Sequence, residues 1–496
     1  MSIHRSGSGA YHFIMRPRFR RFFPVSVMVL TAALAGLALR LFLVLRFPTL
    51  TDDSAIYEEL ARNWLDAHIY GFSYANRLIP SDIRVPGYPA FLILVYLLIG
   101  RGERAIVLAQ AILDLGSCFL VASFAAFLAP STYRRRIALL ALWLAATCPF
   151  IANYAAAPLT EVLATFLSAA VILALTWGFI TIDQIDQPYD ACSPSFQWVP
   201  WLAAGLLAGL GTLVRPETPL LLASLAVVLA IRWRRRADWG KLLRIGMLTG
   251  VGLVLPLMPW AARNAVRLHE VQFLSPRYAA TPDEYTPRGL YAWTATWLMR
   301  FRDVYLVPWN IGSVPVYLAD ISPSAFDSPD ERARVAALLD QYDATLKMTP
   351  EIDRGFAALA RERTARHPLR TYLAVPVGRA ATMWFTPRVD LLPFSGHFWP
   401  IRQQWRRDRM DVSITLFLGA LNFLYVGLAF VGSCRAFGWK GAHAEGLRWS
   451  VAFLIAFILI RTAFLTTVET PEPRYVLECY PAVLALGAMI GLPRDG

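Results

Sequence analysis

Long uninterrupted blocks of apolar residues, such as 25–45 and 105–128, most constrain what this chain can fold into. A membrane-spanning helix needs roughly 20 apolar residues to cross about 30 Å of hydrocarbon, whereas soluble elements alternate apolar and polar positions. The composition agrees, because 56% of the 496 residues are hydrophobic and only 17% are charged. Typical soluble domains have about 25% charged residues. We therefore predict an all-α, polytopic integral membrane protein.

The apolar blocks predict ten crossings, and about ten to twelve spans if shorter blocks also cross. The candidate spans are residues 25–45, 105–128, 137–151, 160–180, 199–214, 216–231, 245–260, 412–433, 449–468 and 475–491. The shorter block 86–100 decides the topology, since counting it as a crossing moves every later loop to the other side. Its 15 residues are few for a span, so we expect it to dip into the outer leaflet.

The distribution of basic residues supports this choice. If 86–100 does not cross, the short segments on one side carry more than twice as many Lys and Arg as those on the other. Such residues concentrate in cytoplasmic loops, where acidic residues such as the three Asp of 181–198 count for little. The same clustering explains the net charge of +13 without a nucleic-acid partner. We expect a multi-pass plasma membrane protein, in bacteria an inner membrane protein.

Four parts follow from this topology. Residues 1–24 form a basic cytoplasmic N-terminus, 25–260 a transmembrane module that includes the first outer loop 46–103, and 412–496 the C-terminal transmembrane helices. Residues 261–411 form an outer, interfacial helical region, since tryptophan is typical of the membrane interface. Within it we expect helices at 330–346 and 350–366 and an interfacial helix at 369–386. Its tryptophans are Trp293, Trp297, Trp309, Trp384, Trp399 and Trp405.

Asp52 and Asp53 begin an amphipathic stripe in the first outer loop. The apolar members of the stripe are Ile56, Tyr57, Leu60, Ala61, Trp64 and Leu65, a spacing typical of a helix lying on the membrane surface. Either aspartate could simply cap this helix, because a carboxylate accepts hydrogen bonds from free backbone N–H groups. Alternatively, one of them is a general base at the height where a lipid headgroup meets a water-soluble group.

Further charged residues lie at the outer ends of several predicted spans. Each alone has a structural explanation, such as a helix cap, a tight turn or an arginine reaching towards headgroups. Together they put carboxylates and guanidiniums on one face, and charges near hydrocarbon tend to mark function. Guanidiniums bind phosphate, and a carboxylate accepts a proton. The residues are Arg84, Glu161, Arg215, Glu217, Arg263, Arg474 and the neighbouring Tyr475.

The order of these motifs resembles a family. The segment Asp53-Ser-Ala-Ile-Tyr57-Glu-Glu-Leu-Ala61, then Arg84-Val-Pro-Gly-Tyr-Pro89 and Gln110, resembles bacterial glycosyltransferases of GT-C fold. These are related to protein O-mannosyltransferases and lipid A aminoarabinose transferases. The later landmarks keep the family order over nearly the whole chain: Thr160-Glu161, Leu213-Val-Arg215-Pro216, Pro259-Trp260, Arg263-Asn264, His367-Pro368 and Arg474-Tyr475.

The resemblance implies the GT-C fold and transfer of a sugar from a polyprenyl-phosphate donor to an acceptor protein, lipid or glycan outside the membrane. It also implies a catalytic acidic residue in the first outer loop. Asp53 matches best because it lies four residues before Tyr57. The family more often has Asp followed by Glu, so Asp52 stays a second candidate.

The proposed roles follow from the residue types. Asp53, assisted by Asp52, takes a proton from the acceptor. Arg84, Arg263 and Arg474 hold the phosphate, while Glu161 and Glu217 orient the sugar or the acceptor. We include Tyr57, Arg215 and Tyr475 in the substrate-binding set.

Two questions stay open at this level. A transporter or flippase for an amphipathic, anionic, lipid-linked substrate is the alternative, since charges within membranes also mark transport paths. No cofactor is evident, but Asp52, Asp53 and Glu161 could supply oxygen ligands to a divalent metal. The chain has no GxGxxG, Walker or DxD motif for a nucleotide-sugar donor.

Overall fold

The computed structural model describes residues 25–185, 197–234, 239–278, 285–441 and 444–493, with side chains described except at 181–185. Three features of the sequence lie outside these residues: the basic segment 1–24, most of the acidic loop 181–198, and two arginines of the basic cluster after residue 231, Arg235 and Arg236.

The described chain is almost entirely helical. The first half contains α1 (Val25–Arg46), α2 (Asp52–Ala67), strands β1 (Gly71–Tyr74) and β2 (Arg77–Pro80), α3 (Gly87–Leu98), α4 (Glu103–Leu128), α5 (Arg134–Ala146), α6 (Pro149–Ala152), α7 (Glu161–Ile185), α8 (Val199–Thr212), α9 (Leu220–Trp233) and α10 (Trp239–Arg267). The second half contains α11 (Arg288–Thr294), α12 (Phe301–Leu306), α13 (Pro329–Asp343), α14 (Pro350–Arg366), α15 (Val375–Phe385), α16 (Ile401–Arg407), α17 (Arg409–Gly438), α18 (Ala444–Leu465) and α19 (Tyr480–Ala488).

Six of the described helices, α1, α4, α7, α10, α17 and α18, are long and apolar enough to cross a membrane. A seventh candidate is α5 with the segment Pro149–Ala156, which bends by 45° where Pro149 interrupts the helix. The expected all-α polytopic class is confirmed.

The number of spans is not confirmed. Helices α8 and α9 have 14 residues each, so each is about 21 Å long at 1.5 Å per residue. The last expected span, 475–491, begins as a 3₁₀ helix, Pro473–Cys479, and continues as the nine-residue α19. Prolines at the start of both pieces account for the break. This segment is almost fully buried among α4, α5, α7, α17 and α18.

The first outer loop folds as α2, the β1–β2 hairpin and α3. The antiparallel hairpin turns at Ala75 and Asn76, which both have positive φ. Helix α3 covers the block 86–100, and its 12 residues reach about 18 Å, too little to cross alone. Its amide at Gly87 donates to the Leu213 carbonyl oxygen at the end of α8, at 2.6 Å.

Residues 285–366 form a helical unit with its own core. Helix α14 packs against α11 and α13, and the shared core contains Trp293, Trp297, Val304, Val307 and Phe356. Helix α10 continues past residue 260 to Arg267, so its last two turns extend into the expected outer region.

The segment expected as an interfacial helix, 369–386, contains a π-helical turn, Arg370–Ala374, followed by α15. Its side chains Leu369, Tyr372 and Val377 are exposed, although all three are apolar or aromatic. Such a surface is typical of helices that lie in the membrane interface.

Candidate active site

The start of α2 places two aspartates differently. The cap is Thr51, whose Oγ1 accepts from the Ser54 backbone N–H at 3.2 Å, while Ser54 Oγ accepts from the Thr51 N–H. The cap interpretation of Asp52 and Asp53 is therefore wrong. Asp52 is exposed, whereas the Asp53 side chain is 27% exposed and turns inward.

Each oxygen of the Asp53 carboxylate faces a different arginine. Asp53 Oδ1 lies 3.1 Å from Nη2 of Arg84, in the loop before α3. Asp53 Oδ2 lies 3.0 Å from Nη2 of Arg474, in the 3₁₀ helix after α18. Arg84 and Arg474 are separated by nearly 400 residues in the sequence, so only the tertiary fold brings these three side chains together.

These arginines control the protonation of Asp53. Burial alone would raise the pKa of the Asp53 carboxyl, but Arg474 and Arg84 outweigh burial and hold it below its usual value. A nearby positive charge favours the ionised carboxylate. Asp53 is therefore an ionised carboxylate at neutral pH.

A second ion-pair layer supports the first. Arg215, in the turn between α8 and α9, places Nη2 2.5 Å from Glu161 Oε1 and donates from Nε to Thr160 Oγ1 at 3.0 Å. Glu161 Oε1 also lies 3.6 Å from Arg474 Nε. Glu161 is 3% exposed, so it links the two arginines from inside the protein.

Glu472 and Tyr475 complete the surroundings of Arg474. Glu472 Oε2 lies 2.5 Å from Arg474 Nε, and the Tyr475 hydroxyl donates to Glu472 Oε1 at 2.6 Å. The Tyr475 ring also lies 5.2 Å from the guanidinium carbon of Arg215. Burial raises the pKa of the Glu472 carboxyl, although Arg474 acts in the opposite direction.

Two cavities meet at Asp53, Arg84 and Arg474. The basic cavity, about 460 Å³, adds Arg215 and Arg277 and is also lined by Tyr57, Glu217, Glu469 and Tyr475. The aromatic cavity, about 840 Å³, is lined by Tyr154, Phe301, Tyr305 and Trp309, by Asn310 and Ser313, and by Asp52, Asp390 and Glu472.

Arg263 lies outside this group. Its guanidinium donates to the backbone carbonyl oxygens of Tyr70 and Ser81, at 2.5 and 2.9 Å, and stacks over the rings of Tyr70 and Trp260. The expectation that Arg263 shares a phosphate site with Arg84 and Arg474 is therefore corrected: it anchors the β1–β2 hairpin to α10. It lines a third, apolar cavity of about 690 Å³ between α2, α3, α8 and α10.

The other expected site residues come together. Glu161 contacts Arg215 and Arg474 from the protein interior. The residues that line the two joined cavities are Asp52, Asp53, Tyr57, Arg84, Arg215, Glu217, Arg474 and Tyr475. Sequence reasoning did not select Asp390, Tyr305, Trp309 or Arg277 for the site. Their only sequence signal is their position in the outer region, because no local motif connects them to Asp53.

The candidate metal ligands Asp52, Asp53 and Glu161 are not arranged as a metal site in the described structure. Both Asp53 oxygens and Glu161 Oε1 face guanidiniums. Within the described ranges, no group of three or more His, Cys, Asp or Glu side chains is arranged to hold a metal ion.

The fold and site define a helical membrane protein with a cavity lined by arginines beside a carboxylate. No protein-family model matches the chain, and no curated protein matches it. Solved structures similar to it include the oligosaccharyltransferase AglB from Archaeoglobus fulgidus in complex with an inhibitory peptide and a dolichol-phosphate. That pair has a TM-score of 0.48 and 12% identity, covering 94% of this chain and 50% of AglB.

A second similar structure is ArnT from Cupriavidus metallidurans bound to undecaprenyl phosphate. The TM-score is 0.39 and the identity 15%, covering 94% of this chain and 77% of ArnT. The chain spans about half the length of the oligosaccharyltransferase structures it matches. Lipid A aminoarabinose transferases, named in the sequence resemblance, are represented among these neighbours by ArnT.

Proposed function

We propose that this chain is a membrane glycosyltransferase that moves a sugar from a polyprenyl-phosphate donor to an acceptor on the outer, periplasmic face of the membrane. The observation that carries the proposal is the position of Asp53 between Arg84 and Arg474, where the basic and aromatic cavities join. Transfer from a phosphate needs cations for the leaving group and a base for the acceptor. This cluster contains both.

The donor phosphate fits the basic cavity. Four arginines line it, Arg84, Arg215, Arg277 and Arg474, and guanidiniums bind phosphate with paired, charge-assisted hydrogen bonds. Arg84 is two residues before Pro86, which lines the apolar cavity. In our proposal the phosphate lies at Arg84 and Arg474, and the polyprenyl chain enters the apolar cavity.

The reaction is a direct displacement at the anomeric carbon. Asp53 accepts the proton of the acceptor hydroxyl or amine while that oxygen or nitrogen forms a bond to the anomeric carbon. The bond from this carbon to the phosphate oxygen breaks, and its electron pair stays on the phosphate. Arg84 and Arg474 stabilise the additional negative charge as it develops.

Donor binding also activates the base in this scheme. Arg84 and Arg474 pair with Asp53 while no phosphate is present, and a phosphate competes for the same guanidiniums. Its own negative charge near Asp53 raises the pKa of the carboxyl further, since like charges disfavour ionisation. Asp53 therefore becomes a stronger base once the donor is bound.

The two glutamates have separate roles in the proposal. Glu161 holds the Arg215 and Arg474 guanidiniums in place. Glu217 lines the basic cavity, and its buried Oε2 has no hydrogen-bond partner in the described part of the chain. A buried acceptor without a partner is costly, and a hydroxyl of the donor sugar supplies the missing donor.

The transporter alternative has less support. A transport path could use Asp114, an acidic residue in the middle of the long helix α4. However, Asp114 forms an ion pair with Arg40 at 2.8 Å, and both side chains are 0% exposed. A carboxylate that is enclosed in the protein and paired with Arg40 offers a substrate no accessible contact.

Mass spectrometry of copurifying lipids tests the proposal. The protein is purified in mild detergent as wild type, Arg84→Ala and Arg474→Ala. The matched control is Arg101→Ala, which removes an exposed ion pair with Asp66 outside both cavities. We expect a polyprenyl-phosphate sugar to be enriched on wild type and Arg101→Ala and depleted on the other two variants. Bulk phospholipid alone, equal on all four proteins, contradicts the proposal.

A further inference from the structure

The aromatic cavity contains an exposed platform of rings. Tyr305 and Trp309 pack edge to face with ring centroids 4.5 Å apart, and Phe301 lies 5.5 Å from Trp309. Tyr305 is 50% exposed and Trp309 40% exposed. Large aromatic side chains that stay accessible inside a concave cavity offer a flat apolar surface to a ligand.

The platform is held rigidly. Tyr305 lies on α12, and the same short segment places Val304 and Val307 in the core of the 285–366 unit, both 0% exposed. The rings are therefore presented by a packed element and do not depend on a ligand for their position.

Asp390 faces the same cavity from another part of the fold. The preceding turn is fixed by Arg388, which is buried and donates to the carbonyl oxygens of Met383 and Pro473, both at 3.0 Å. Asp390 makes no ion pair with any described residue.

The two cavities differ in charge. Asp53, Arg84 and Arg474 line both cavities. The basic cavity adds two arginines and two glutamates, Arg215, Arg277, Glu217 and Glu469, whereas the aromatic cavity adds three carboxylates and no cation: Asp52, Asp390 and Glu472. An anionic group therefore prefers the basic cavity. The aromatic cavity suits an uncharged ligand with an apolar face and many hydroxyl groups, because a hydroxyl can donate to a carboxylate and accept from a protonated one.

We propose that the aromatic cavity is the acceptor subsite and that the acceptor is a carbohydrate. One sugar ring stacks its C–H face on Trp309 with Tyr305 beside it, since the two rings are nearly perpendicular, and its hydroxyls bind Asp390 and Asn310. A further hydroxyl reaches Asp53 for proton transfer. This inference rests on the proposed function, which by itself leaves the acceptor open among protein, lipid and glycan.

Saturation-transfer NMR with simple sugars tests the assignment. The probes are methyl α-glucopyranoside, methyl α-mannopyranoside and methyl β-galactopyranoside, with a serine-containing peptide as the competing acceptor class. The protein is placed in phosphatidylcholine nanodiscs, because a maltoside detergent is itself a glycoside. We expect at least one glycoside to receive saturation on wild-type protein, most strongly on the protons of one ring face.

The variants are Trp309→Ala, Asp390→Asn and the conservative Trp309→Phe. The matched control is Trp405→Ala, which removes an exposed tryptophan on α16, outside the cavity. Loss of a stacking partner should reduce the glycoside signal about three- to tenfold in Trp309→Ala. Trp309→Phe and Trp405→Ala should keep most of it, and Asp390→Asn should weaken it. Equal signals from Trp309→Ala and Trp405→Ala, or saturation of the peptide alone, overturn the assignment.

Undecaprenyl phosphate binding to the same nanodiscs separates the two proposals. If wild type binds the lipid phosphate but no glycoside, the acceptor assignment fails and the transferase proposal stands. If wild type binds glycosides but no lipid phosphate, the proposed donor is wrong. The Trp309→Ala variant should bind the lipid phosphate as wild type does, which also shows that it is folded.

Discussion

Asp53 is held between two guanidiniums that a phosphate group would also bind, and this arrangement separates it from its neighbour Asp52. The family resemblance favoured Asp53 but left both aspartates open. The structure gives Asp53 two arginine partners and leaves Asp52 exposed on the cavity wall. The difference arises because side chains one residue apart on a helix point in different directions.

Substitution of Asp53 tests its role as the base. Asp53→Asn keeps the shape of the side chain but cannot accept the proton, so transfer should fall about 10²- to 10⁴-fold. The measurement is the initial rate of transfer from the copurified donor lipid, with mass spectrometry showing that the lipid is still bound. Asp52→Asn is measured beside it because Asp52 is the second candidate, and it should lose much less activity than Asp53→Asn. A slow Asp52→Asn beside a fast Asp53→Asn would exchange the two roles.

The pH dependence of the reaction tests whether the donor activates Asp53. In the free protein the pKa of Asp53 is held down by Arg474 and Arg84. The acidic limb of kcat/KM for the donor, which reports the free protein, should therefore lie at low pH. In the donor complex the phosphate occupies these arginines and raises the pKa, so the acidic limb of kcat should lie at higher pH. Because the base must be ionised, activity falls below each pKa. Superimposed limbs, or a reversed order, contradict activation by the donor.

At the scale of elements, contacts between the ends of helices assemble the site. The start of α3 and the end of α8 approach so closely at Gly87 that a Cβ there would overlap the Leu213 carbonyl oxygen. This contact fixes Arg84, three residues before Gly87, relative to Arg215, two residues after Leu213. The glycine is therefore required by close approach of two backbones.

Gly87→Ala should separate α3 from α8 and weaken the basic cavity. Overlap with backbone atoms cannot be relieved by a rotamer change, and overpacking costs about 1–3 kcal/mol. We expect a lower thermal unfolding midpoint and a smaller upward shift of that midpoint on adding undecaprenyl phosphate. Gly250→Ala on α10 is the control, since a Cβ there meets no atom within 4 Å. If the two variants behave alike, the contact does not organise the site.

Elements with a local signal could be predicted from the sequence, and those set by tertiary contacts could not. The apolar stripe beginning at Asp52 predicted a helix, and α2 runs from Asp52 to Ala67. The hairpin turn at Ala75 and Asn76 has no Asn-Gly or Asp-Gly signal. The block 475–491 has the composition of a span, but its buried position among five helices permits a broken, partly 3₁₀ path. Asp390 and Trp309 reach the cavity through long-range packing, which no local pattern records.

At the scale of the whole molecule, the ends of α1, α7, α8 and α18 meet around one site. After α1, Thr49 N–H donates to the Ala156 carbonyl oxygen at 3.1 Å; after α8, Arg215 donates to Thr160 at 3.0 Å; and after α18, Arg474 lies 3.6 Å from Glu161. If α4 and the bent pair formed by α5 and Pro149–Ala156 each cross once, an extra crossing at 86–100 would put Arg84 and Glu161 on opposite faces. The short α3 agrees with this topology. Which face is the outer one still depends on the charge distribution in the sequence.

Labelling of single cysteines in intact cells tests the orientation. In a background with Cys434→Ser and Cys192→Ser, one variant carries Ser313→Cys beside the aromatic cavity and the other Ser131→Cys in the turn before α5; both positions are exposed. If the site faces outward, a membrane-impermeant maleimide should label position 313 in intact cells. Position 131 should react only after the membrane is opened, because Arg134, Arg135 and Arg136 follow it and such clusters stay inside. The reverse pattern would place the site on the cytoplasmic face. Transfer on the outer face would then be wrong, and the donor and the acceptor would have to be reached from the cytoplasm.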